Sequence, residues 1–371
     1  MLTNGNMKQR HLASSLFLLT IFVPSLSAST IYHATDLGVL PGGNYSEAVW
    51  INNGGQVTGY AYVGADYHMT YWSPSTGLKD MGALNGTAGD GNEINDAGQI
   101  AGYGSTAAGA YRAVRATYPG GMVDLGTFGG PQSVARGLNG NGDVAGWAMT
   151  STFSNLAAIW VNGGPTLNLG TLPGGAQSYA YDVNGAGHAV GYSESTSGNR
   201  AFYWNGTAMV NLGFAGTAFK INDNDNVIGW FDLAGGIQNA FFGTGTGPYQ
   251  NLGTLGGSSS RAIGISDTGT MVVGDSQTAG GVTTAFLWDS LNGMRNLNTL
   301  LDGASSAAWN IRSGLGVNNK GQIVGFGLIG GEIHGVLLDP VTAPEPSTIG
   351  AGFILLFIAG AKRLKKQIIR R

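Results

Sequence analysis

A short segment that recurs seven times along the chain constrains the fold more than any other feature of the sequence. One copy reads INDAGQIAGY and begins at Ile94, and the other six begin at Ile51, Leu138, Val183, Ile221, Ile265 and Val317. The glycine near the end of each copy follows the previous one after 38 to 51 residues. A period of this size is typical of architectures in which each unit buries its apolar face only against the next unit.

The first half of the segment predicts a tight turn. Asn or Ser occupies the first turn position in every copy, and Gly occupies the fourth in six copies. Type I turns favour these residues at those positions. Asp225 replaces the glycine in the fifth copy, and aspartate is one of the few residues that tolerate a left-handed backbone.

A small residue always stands four positions before the Asn or Ser. These residues are Ala48, Gly91, Ala135, Ala180, Ala218, Ala262 and Gly314. A strand position confined to Ala and Gly indicates that neighbouring backbones approach closely there. We therefore expect this strand to lie nearest the axis of a radial assembly.

Two further marks recur with the same period. One is DLG or a variant of it, as at Asp36, and the other is an apolar run such as AFLW, which ends at Trp288. Together with the turn segment they make about four short strands in each unit. A parallel β-helix would use shorter coils, and a helical repeat would show a period of 3.6 residues. The sequence therefore predicts an all-β, seven-bladed propeller over residues 29–342.

The two ends of this region predict how the ring closes. The region opens with a DLG segment, Ile31 to Gly38, and ends with an apolar run, Gly335 to Leu338. The seventh unit therefore lacks a DLG strand of its own. We expect the N-terminal strand to complete the last blade, which would remove an exposed sheet edge.

Composition excludes several functional classes. The chain has no cysteine, so disulfides, thiolate metal sites and cysteine nucleophiles are absent. Residues 29–343 hold ten Lys and Arg against 20 Asp and Glu, a net charge near −10. Nucleic acid would be repelled by such a body, so we expect no nucleic-acid partner.

Residues 1–28 have the layout of a secretory signal peptide. Two basic residues precede an apolar stretch from Leu12 to Val23, which is followed by Pro24 and small residues. The chain could start at Met1 or at Met7, and a retained anchor is the alternative to cleavage. We expect this segment to form a signal helix.

Residues 343–371 carry a second targeting pattern. Pro344, Glu345 and Pro346 precede an apolar run from Ile349 to Ala361 and a cluster of Lys and Arg. This order resembles a PEP-CTERM sorting signal. The resemblance implies a hydrophobic helix that anchors the chain in the membrane until an exosortase processes it. It also implies export to the outer surface or matrix of a Gram-negative-type bacterium, whereas an ordinary tail anchor would give the same topology without processing.

The repeat itself resembles the HAF family of extracellular repeats. The eponymous triplet appears as RAF at Arg200, NAF at Asn239 and TAF at Thr284, and its histidine is retained only in HGV at His334. LGTLGG at Leu252 also matches. The resemblance implies an exported bacterial protein, without an established chemistry.

No pattern in the body indicates a metal or catalytic site. Its four His residues are far apart in the sequence, and no nucleophile motif occurs. Asp223 and Asp225 lie in an Asn- and Asp-rich turn that could hold calcium, although a capped turn is the simpler interpretation. We therefore expect no catalytic residue and no cofactor.

Two tryptophans stand outside the repeat pattern and are the candidates for ligand contact. Trp50 lies near Glu47, and Trp309 lies near Arg312. Aromatic rings beside charged groups suit stacking on sugar rings. Trp147 and Trp230 instead occupy a repeat position, which indicates a framework role.

These patterns favour a non-enzymatic module that binds exopolysaccharide or builds the matrix. A propeller-type hydrolase or lyase acting on extracellular glycan is the alternative.

Overall fold

The computed structural model describes residues 30–342, which form 28 β-strands in seven four-stranded antiparallel sheets. The first four blades contain β2 (Ser46–Ile51), β3 (Val57–Val63), β4 (Asp66–Ser73) and β5 (Gly77–Gly82); β6 (Gly89–Ile94), β7 (Gln99–Ser105), β8 (Tyr111–Thr117) and β9 (Gly121–Asp124); β10 (Gly129–Leu138), β11 (Val144–Thr150), β12 (Asn155–Trp160) and β13 (Thr166–Asn168); and β14 (Ser178–Val183), β15 (Ala189–Ser193), β16 (Arg200–Trp204) and β17 (Met209–Asn211).

The last three blades contain β18 (Gly216–Ile221), β19 (Asn226–Asp232), β20 (Gln238–Thr244) and β21 (Tyr249–Gly253); β22 (Gly256–Ile265), β23 (Val272–Thr278), β24 (Thr283–Asp289) and β25 (Gly293–Asn296); and β26 (Trp309–Val317), β27 (Ile323–Ile329), β28 (Glu332–Thr342) and β1 (Thr30–Asp36). Two 3₁₀ turns, Ala234–Gly236 and Leu297–Leu300, and the short helix α1, Gly303–Ala308, interrupt the strands.

The blades form a closed ring. The first strand of each blade contacts the first strand of the next, and β26 of blade 7 contacts β2 of blade 1. These seven strands therefore surround the axis, and the later strands of each blade lie progressively farther out. The predicted seven-bladed propeller is confirmed.

The N-terminal strand completes blade 7, as predicted. β1 pairs antiparallel with β28, from Thr30 opposite Thr342 to Asp36 opposite Val336. The segment before β26 also holds β1 in place, because the Asp302 carboxylate accepts a 2.8 Å hydrogen bond from His33. Both chain ends of the propeller therefore stabilise one blade.

The hydrophobic core is divided among the interfaces between blades. Within residues 30–342, seven clusters of buried side chains each join two adjacent sheets. The largest lies between blades 6 and 7 and includes Tyr32 of β1. Each sheet is thus covered on both faces only by its neighbours, which explains why a single repeat would not fold alone.

A β-bulge marks the first strand of every blade. The small Ala or Gly of the repeat lies opposite the closing glycine of the turn segment, and the register shifts directly after it. In blade 3 the pair is Ala135 and Gly146, and a Cβ on Gly146 would lie 2.0 Å from the carbonyl oxygen of Val134. The close approach occurs within one blade, between its first two strands, and the bulge causes it.

The turns adopt the predicted conformation and also join the blades. In all seven, the N–H of the fourth residue donates to the carbonyl of the first, and Asp225 has a φ of 56°. The Nδ2 of the turn asparagine donates to a backbone carbonyl of the next blade at 2.8–3.2 Å in six copies. We call these residues the asparagine belt: Asn52, Asn95, Asn139, Asn184, Asn222 and Asn318.

The predicted signal segment, 1–28, and sorting tail, 343–371, lie outside the described residues, as do Pro344, Glu345 and Pro346. Within residues 30–342, no helix has both the length and the apolar character needed to span a membrane.

Candidate functional site

The bulges direct one side chain from each blade into the central channel. This residue directly follows the small Ala or Gly of the repeat. Its seven representatives are Val49, Asn92, Arg136, Tyr181, Phe219, Ile263 and Leu315, and all seven line one cavity of about 310 Å³. We call it the mouth cavity, because it opens at the end of the channel opposite the asparagine belt. A second cavity of about 170 Å³ lies on the belt side.

A layer of buried side chains separates the two cavities. The Lys220 Nζ lies 2.7 Å from Oε2 of Glu93, 3.7 Å from Oδ1 of Asp182 and 4.1 Å from the ring centroid of Trp50. Burial raises the pKa of both carboxyl groups, which also accept backbone N–H bonds. These four residues, of which Trp50 is half-buried, form what we call the septum, and it lies between the two cavities.

Two carboxyl groups from neighbouring blades line the mouth cavity. Glu47 accepts a short hydrogen bond from the hydroxyl of Tyr45, and burial raises its pKa. Burial also raises the pKa of Asp90 to about 7, while Arg136 opposes the shift and Glu47 adds to it. Oδ1 of Asp90 is buried without a hydrogen-bond partner. The cavity therefore holds two acids whose pKa is raised by burial, and that of Asp90 reaches about 7.

Arg136 is the free cation of the cavity. Among the described residues its guanidinium takes part in no ion pair, whereas Lys220 below it is paired within the septum. Trp50, Tyr181 and Phe219 add aromatic faces to the same space, and the rings of the last two lie 5.0 Å apart. Flat apolar surfaces thus stand next to hydrogen-bonding groups.

An aromatic residue recurs on the second strand of most blades. The residue after the closing glycine is aromatic in six blades, and these side chains are half-buried: Tyr60, Tyr103, Trp147, Tyr192, Trp230 and Phe326. Blade 6 has Asp275 at this position, paired with Arg261 at 2.8 Å. Trp147 and Trp230 are half-buried and pack against Tyr179 and Phe219, with ring centroids 5.9 and 5.4 Å apart, so their framework role stays a prediction.

The structure separates the four predicted ligand residues. Glu47 and Trp50 both line the mouth cavity. Trp309 is only 7 % exposed and packs in the core between blades 6 and 7. Its ring has no free face for a ligand, so the prediction for Trp309 was wrong. Arg312 is half-buried on β26 and lines neither channel cavity.

The acidic turn considered for calcium is engaged in contacts between blades. Oδ1 of Asp223 accepts the N–H of Gly185 at 2.7 Å, and Oδ1 of Asp225 lies 2.8 Å from Nδ2 of Asn184. These bonds link blade 5 to blade 4. In the part of the chain that the structure describes, no group of three or more His, Asp or Glu is arranged to hold a metal ion.

Sequence reasoning missed Arg136, Tyr181 and Phe219 as cavity residues. Glu47, Asp90 and Arg261 share a repeat position five residues before the turn residue, from which side chains could line one channel mouth. Of these, Glu47 and Asp90 line the mouth cavity. The position after the small residue differs in all seven copies, but so does the position directly before the small residue, so variability alone does not single out the cavity position. The structure supplies the missing signal, because the bulge turns the residue after the small one out of the packed sheet.

Comparison with known proteins extends only to the fold. No protein-family model and no curated protein matches the chain. The BP39L lectin from Burkholderia pseudomallei is 8 % identical over 85 % of this chain and 99 % of its own, with a TM-score of 0.45. A putative TolB from Agrobacterium tumefaciens is 11 % identical over 73 % and 89 %, with a TM-score of 0.42. A puromycin hydrolase is 13 % identical over 86 % and 53 %, with a TM-score of 0.46. Likeness at this level carries no information about activity.

Proposed function

We propose that the chain is an exported, non-enzymatic propeller of the bacterial cell surface or matrix that binds exopolysaccharide in its mouth cavity. One observation carries the binding part: a single cavity combines aromatic faces with unpaired hydrogen-bonding groups. Sugars present both an apolar ring face and a belt of hydroxyls, so they need this combination.

Each part of the cavity has a role in this proposal. The rings of Trp50 and Phe219 stack on the apolar face of a pyranose. Arg136 donates to ring or hydroxyl oxygens, and the carboxyl groups of Glu47 and Asp90 accept from hydroxyls or, when protonated, donate to them. The septum forms the floor, so that a sugar enters from the mouth side only.

A glycan screen tests the binding. The full chain is purified and applied to neutral and acidic polysaccharides, and retention is compared with that of Arg136→Ala. Arg200→Ala removes the same side chain from the third strand of blade 4, away from the cavity, and is the matched control. We expect retention of at least one polysaccharide, which Arg136→Ala loses and Arg200→Ala keeps. Retention of none would favour a purely structural matrix component.

The export part rests on the terminal segments. Processing by an exosortase requires the motif Pro344-Glu345-Pro346, according to the resemblance. Replacing the three residues with alanine should leave the chain unprocessed in a host with that system. The mass of the exported variant is compared with that of the exported wild type. A variant with the same mass as the processed wild type would contradict the proposal.

A glycan hydrolase or lyase is the second candidate, because Glu47 and Asp90 line one cavity and both have raised pKa values. A carboxyl that keeps its proton near neutral pH is suited to general acid catalysis. The assay is release of reducing ends from any retained polysaccharide. Turnover by the wild type that Asp90→Asn abolishes would replace the binding proposal.

A further inference from the structure

Tyrosines are concentrated on one part of the mouth side. Six of the 14 tyrosines of the chain lie on blades 1 and 2 around the mouth ends of β3, β4, β7 and β8. We call them the tyrosine platform: Tyr45, Tyr60, Tyr62, Tyr67, Tyr103 and Tyr111. All six keep exposed surface, and Tyr111 is 36 % exposed.

The platform is continuous from ring to ring. The ring centroids of Tyr45 and Tyr62 lie 5.2 Å apart, and those of Tyr60 and Tyr67 lie 5.9 Å apart. The hydroxyls of Tyr67 and Tyr103 approach to 3.3 Å, which carries the surface from blade 1 to blade 2. It ends at Tyr111, whose ring centroid is 5.2 Å from that of Tyr103.

The platform joins the mouth cavity without a break. Tyr60 belongs to both, since it stacks on Tyr45 and also lines the cavity. The hydroxyl of Tyr45 donates to Glu47, a second cavity residue. Burial raises the pKa of Tyr45, Tyr60 and Tyr103, so these hydroxyls stay protonated and able to donate.

The fold does not require tyrosine at these positions. Tyr62 stands three residues after the closing glycine, where blades 2, 3 and 5 have Ser105, Met149 and Asp232. Tyr60 stands where blade 6 has Asp275. Because these blades form the same sheets without the rings, packing of the fold does not explain the cluster.

We propose that the tyrosine platform is a second subsite, which holds successive pyranose units of a neutral polysaccharide chain that leaves the mouth cavity over blades 1 and 2. This inference rests on the proposed function. A row of rings edged with hydroxyls matches a chain that exposes alternating ring faces and hydroxyl groups. The net charge near −10 of the body favours a neutral chain over a polyanion.

A protein partner fits the same surface less well. A sugar chain can lie on the platform while its end unit occupies the cavity beside Arg136. The broad face of a folded protein would cover the platform but leave the cavity unfilled.

The experiment measures how affinity depends on chain length. The full chain is titrated with maltose and maltohexaose, and with cellobiose and cellohexaose, by calorimetry. Tyr111→Ala is compared with Tyr118→Ala, since both residues are 36 % exposed, and Tyr111 begins β8 whereas Tyr118 directly follows its other end. We expect one hexasaccharide to bind at least tenfold more tightly than its disaccharide. Tyr111→Ala should weaken only the hexasaccharide, by about two- to tenfold.

Other outcomes separate the two proposals. Equal affinity for short and long sugars would overturn the platform subsite and leave the mouth cavity as the whole site. An equal loss in Tyr118→Ala would also overturn the subsite. A change in sedimentation of Tyr111→Ala would point to a face for self-association instead. Binding of none of the four sugars would overturn the neutral-glucan subsite, and the polysaccharide screen would then decide the proposed function separately.

Discussion

At the scale of single residues, the closing glycine of each repeat and the bulge depend on one another. The bulge pushes a carbonyl of the first strand toward the second strand. At each of the seven glycines, an added Cβ would lie 2.0 Å from such a carbonyl oxygen. Any side chain there would collide with backbone, which cannot turn away as a side chain can. The glycine therefore permits the bulge, and the bulge places a residue in the mouth cavity.

Substitution of this glycine should be costly. Gly146→Ala places a Cβ 2.0 Å from the carbonyl oxygen of Val134, and we expect a loss of about 3 kcal/mol in the free energy of unfolding. Gly140→Ala is the matched control, because nothing lies within 4 Å of its added Cβ. The control should stay within about 0.5 kcal/mol of the wild type. Urea unfolding measures both, and similar values for the two variants would contradict the explanation.

The raised pKa of Asp90 predicts a pH dependence of stability. Burial raises this pKa from 3.8 to about 7, Arg136 opposes the shift and Glu47 adds to it. Between these two values the folded state binds more protons than the unfolded state, so stability falls as the pH rises from about 4 to about 7. Glu47, whose pKa is also raised, contributes in the same direction.

Asp90→Asn removes this titration. The variant should lose part of the decline in stability between about pH 4 and pH 7, and at pH 8 it should be more stable than the wild type. Chemical denaturation at a series of pH values measures this. Parallel curves for the two proteins would show that Asp90 does not titrate as expected.

At the scale of structural elements, the repeat turns do more than reverse the chain. In the turn after β10, Oδ1 of Asn139 accepts the N–H groups of Asn141 and Asp143, while Nδ2 donates to the carbonyl of Asn184 in blade 4 at 2.9 Å. One buried side chain thus caps its own turn and fixes the next blade. Blade 6 lacks this link to the next blade, because the hydroxyl of Ser266 bonds only within its own longer turn.

The two roles of the asparagine can be separated. Asn139→Asp keeps an oxygen for the turn but loses both bonds of Nδ2, to the carbonyl of Asn184 and to Oδ2 of Asp143. We expect a loss of about 1–3 kcal/mol in the free energy of unfolding. Ser266→Ala removes no bond between blades and should cost less than about 1 kcal/mol. Thermal and urea unfolding measure both. An Asn139→Asp protein as stable as the Ser266→Ala protein would show that the belt contributes little.

Another element-scale feature emerges only from the strand register. His68 occupies the same register position as His334, two residues before the partner of the closing glycine. Each is paired with the aspartate of a DLG strand: His68 with Asp80 at 2.9 Å, and His334 with Asp36 at 3.0 Å. Two blades therefore carry a histidine at this register position, whereas the sequence pattern pointed only to His334.

At the scale of the whole molecule, stability depends on ring closure. The seven core clusters of residues 30–342 lie between blades, so a gap at one interface exposes two apolar faces. The interface between blades 6 and 7 includes Tyr32, which is 2 % exposed and comes from the N-terminal strand.

Loss of the Tyr32 side chain tests this closure. Tyr32→Ala should destabilise the protein by about 3–5 kcal/mol, as expected for a large aromatic group removed from a core. It should also promote association through the weakened edge of blade 7. Thr30→Ala alters an exposed residue of the same strand and should have little effect. Unfolding curves and sedimentation velocity measure these outcomes, and equal stability of the two variants would contradict a closing role for β1.

The sequence by itself determined the architecture, because the architecture repeats. The period, the turn residues and the missing strand at the end of the last repeat predicted seven blades and closure by β1. Each of these follows from local backbone geometry or from the number of repeats and strands, and both can be read along the chain. The burial of Trp309 was not visible in the sequence. Its off-pattern position suggested an exposed side chain, but its ring packs in the core between blades 6 and 7 against residues such as Tyr32 that are distant in the sequence.

Only the tertiary structure decided the candidate site. Glu47, Asp90 and Arg136 belong to three different blades, and they meet because ring closure brings the first strands of all blades to one axis. Tyr45 and Tyr111 likewise become parts of one surface through the packing of blades 1 and 2. No pattern along a chain fixes distances between side chains of different sheets, so the cavity and the platform had to be observed.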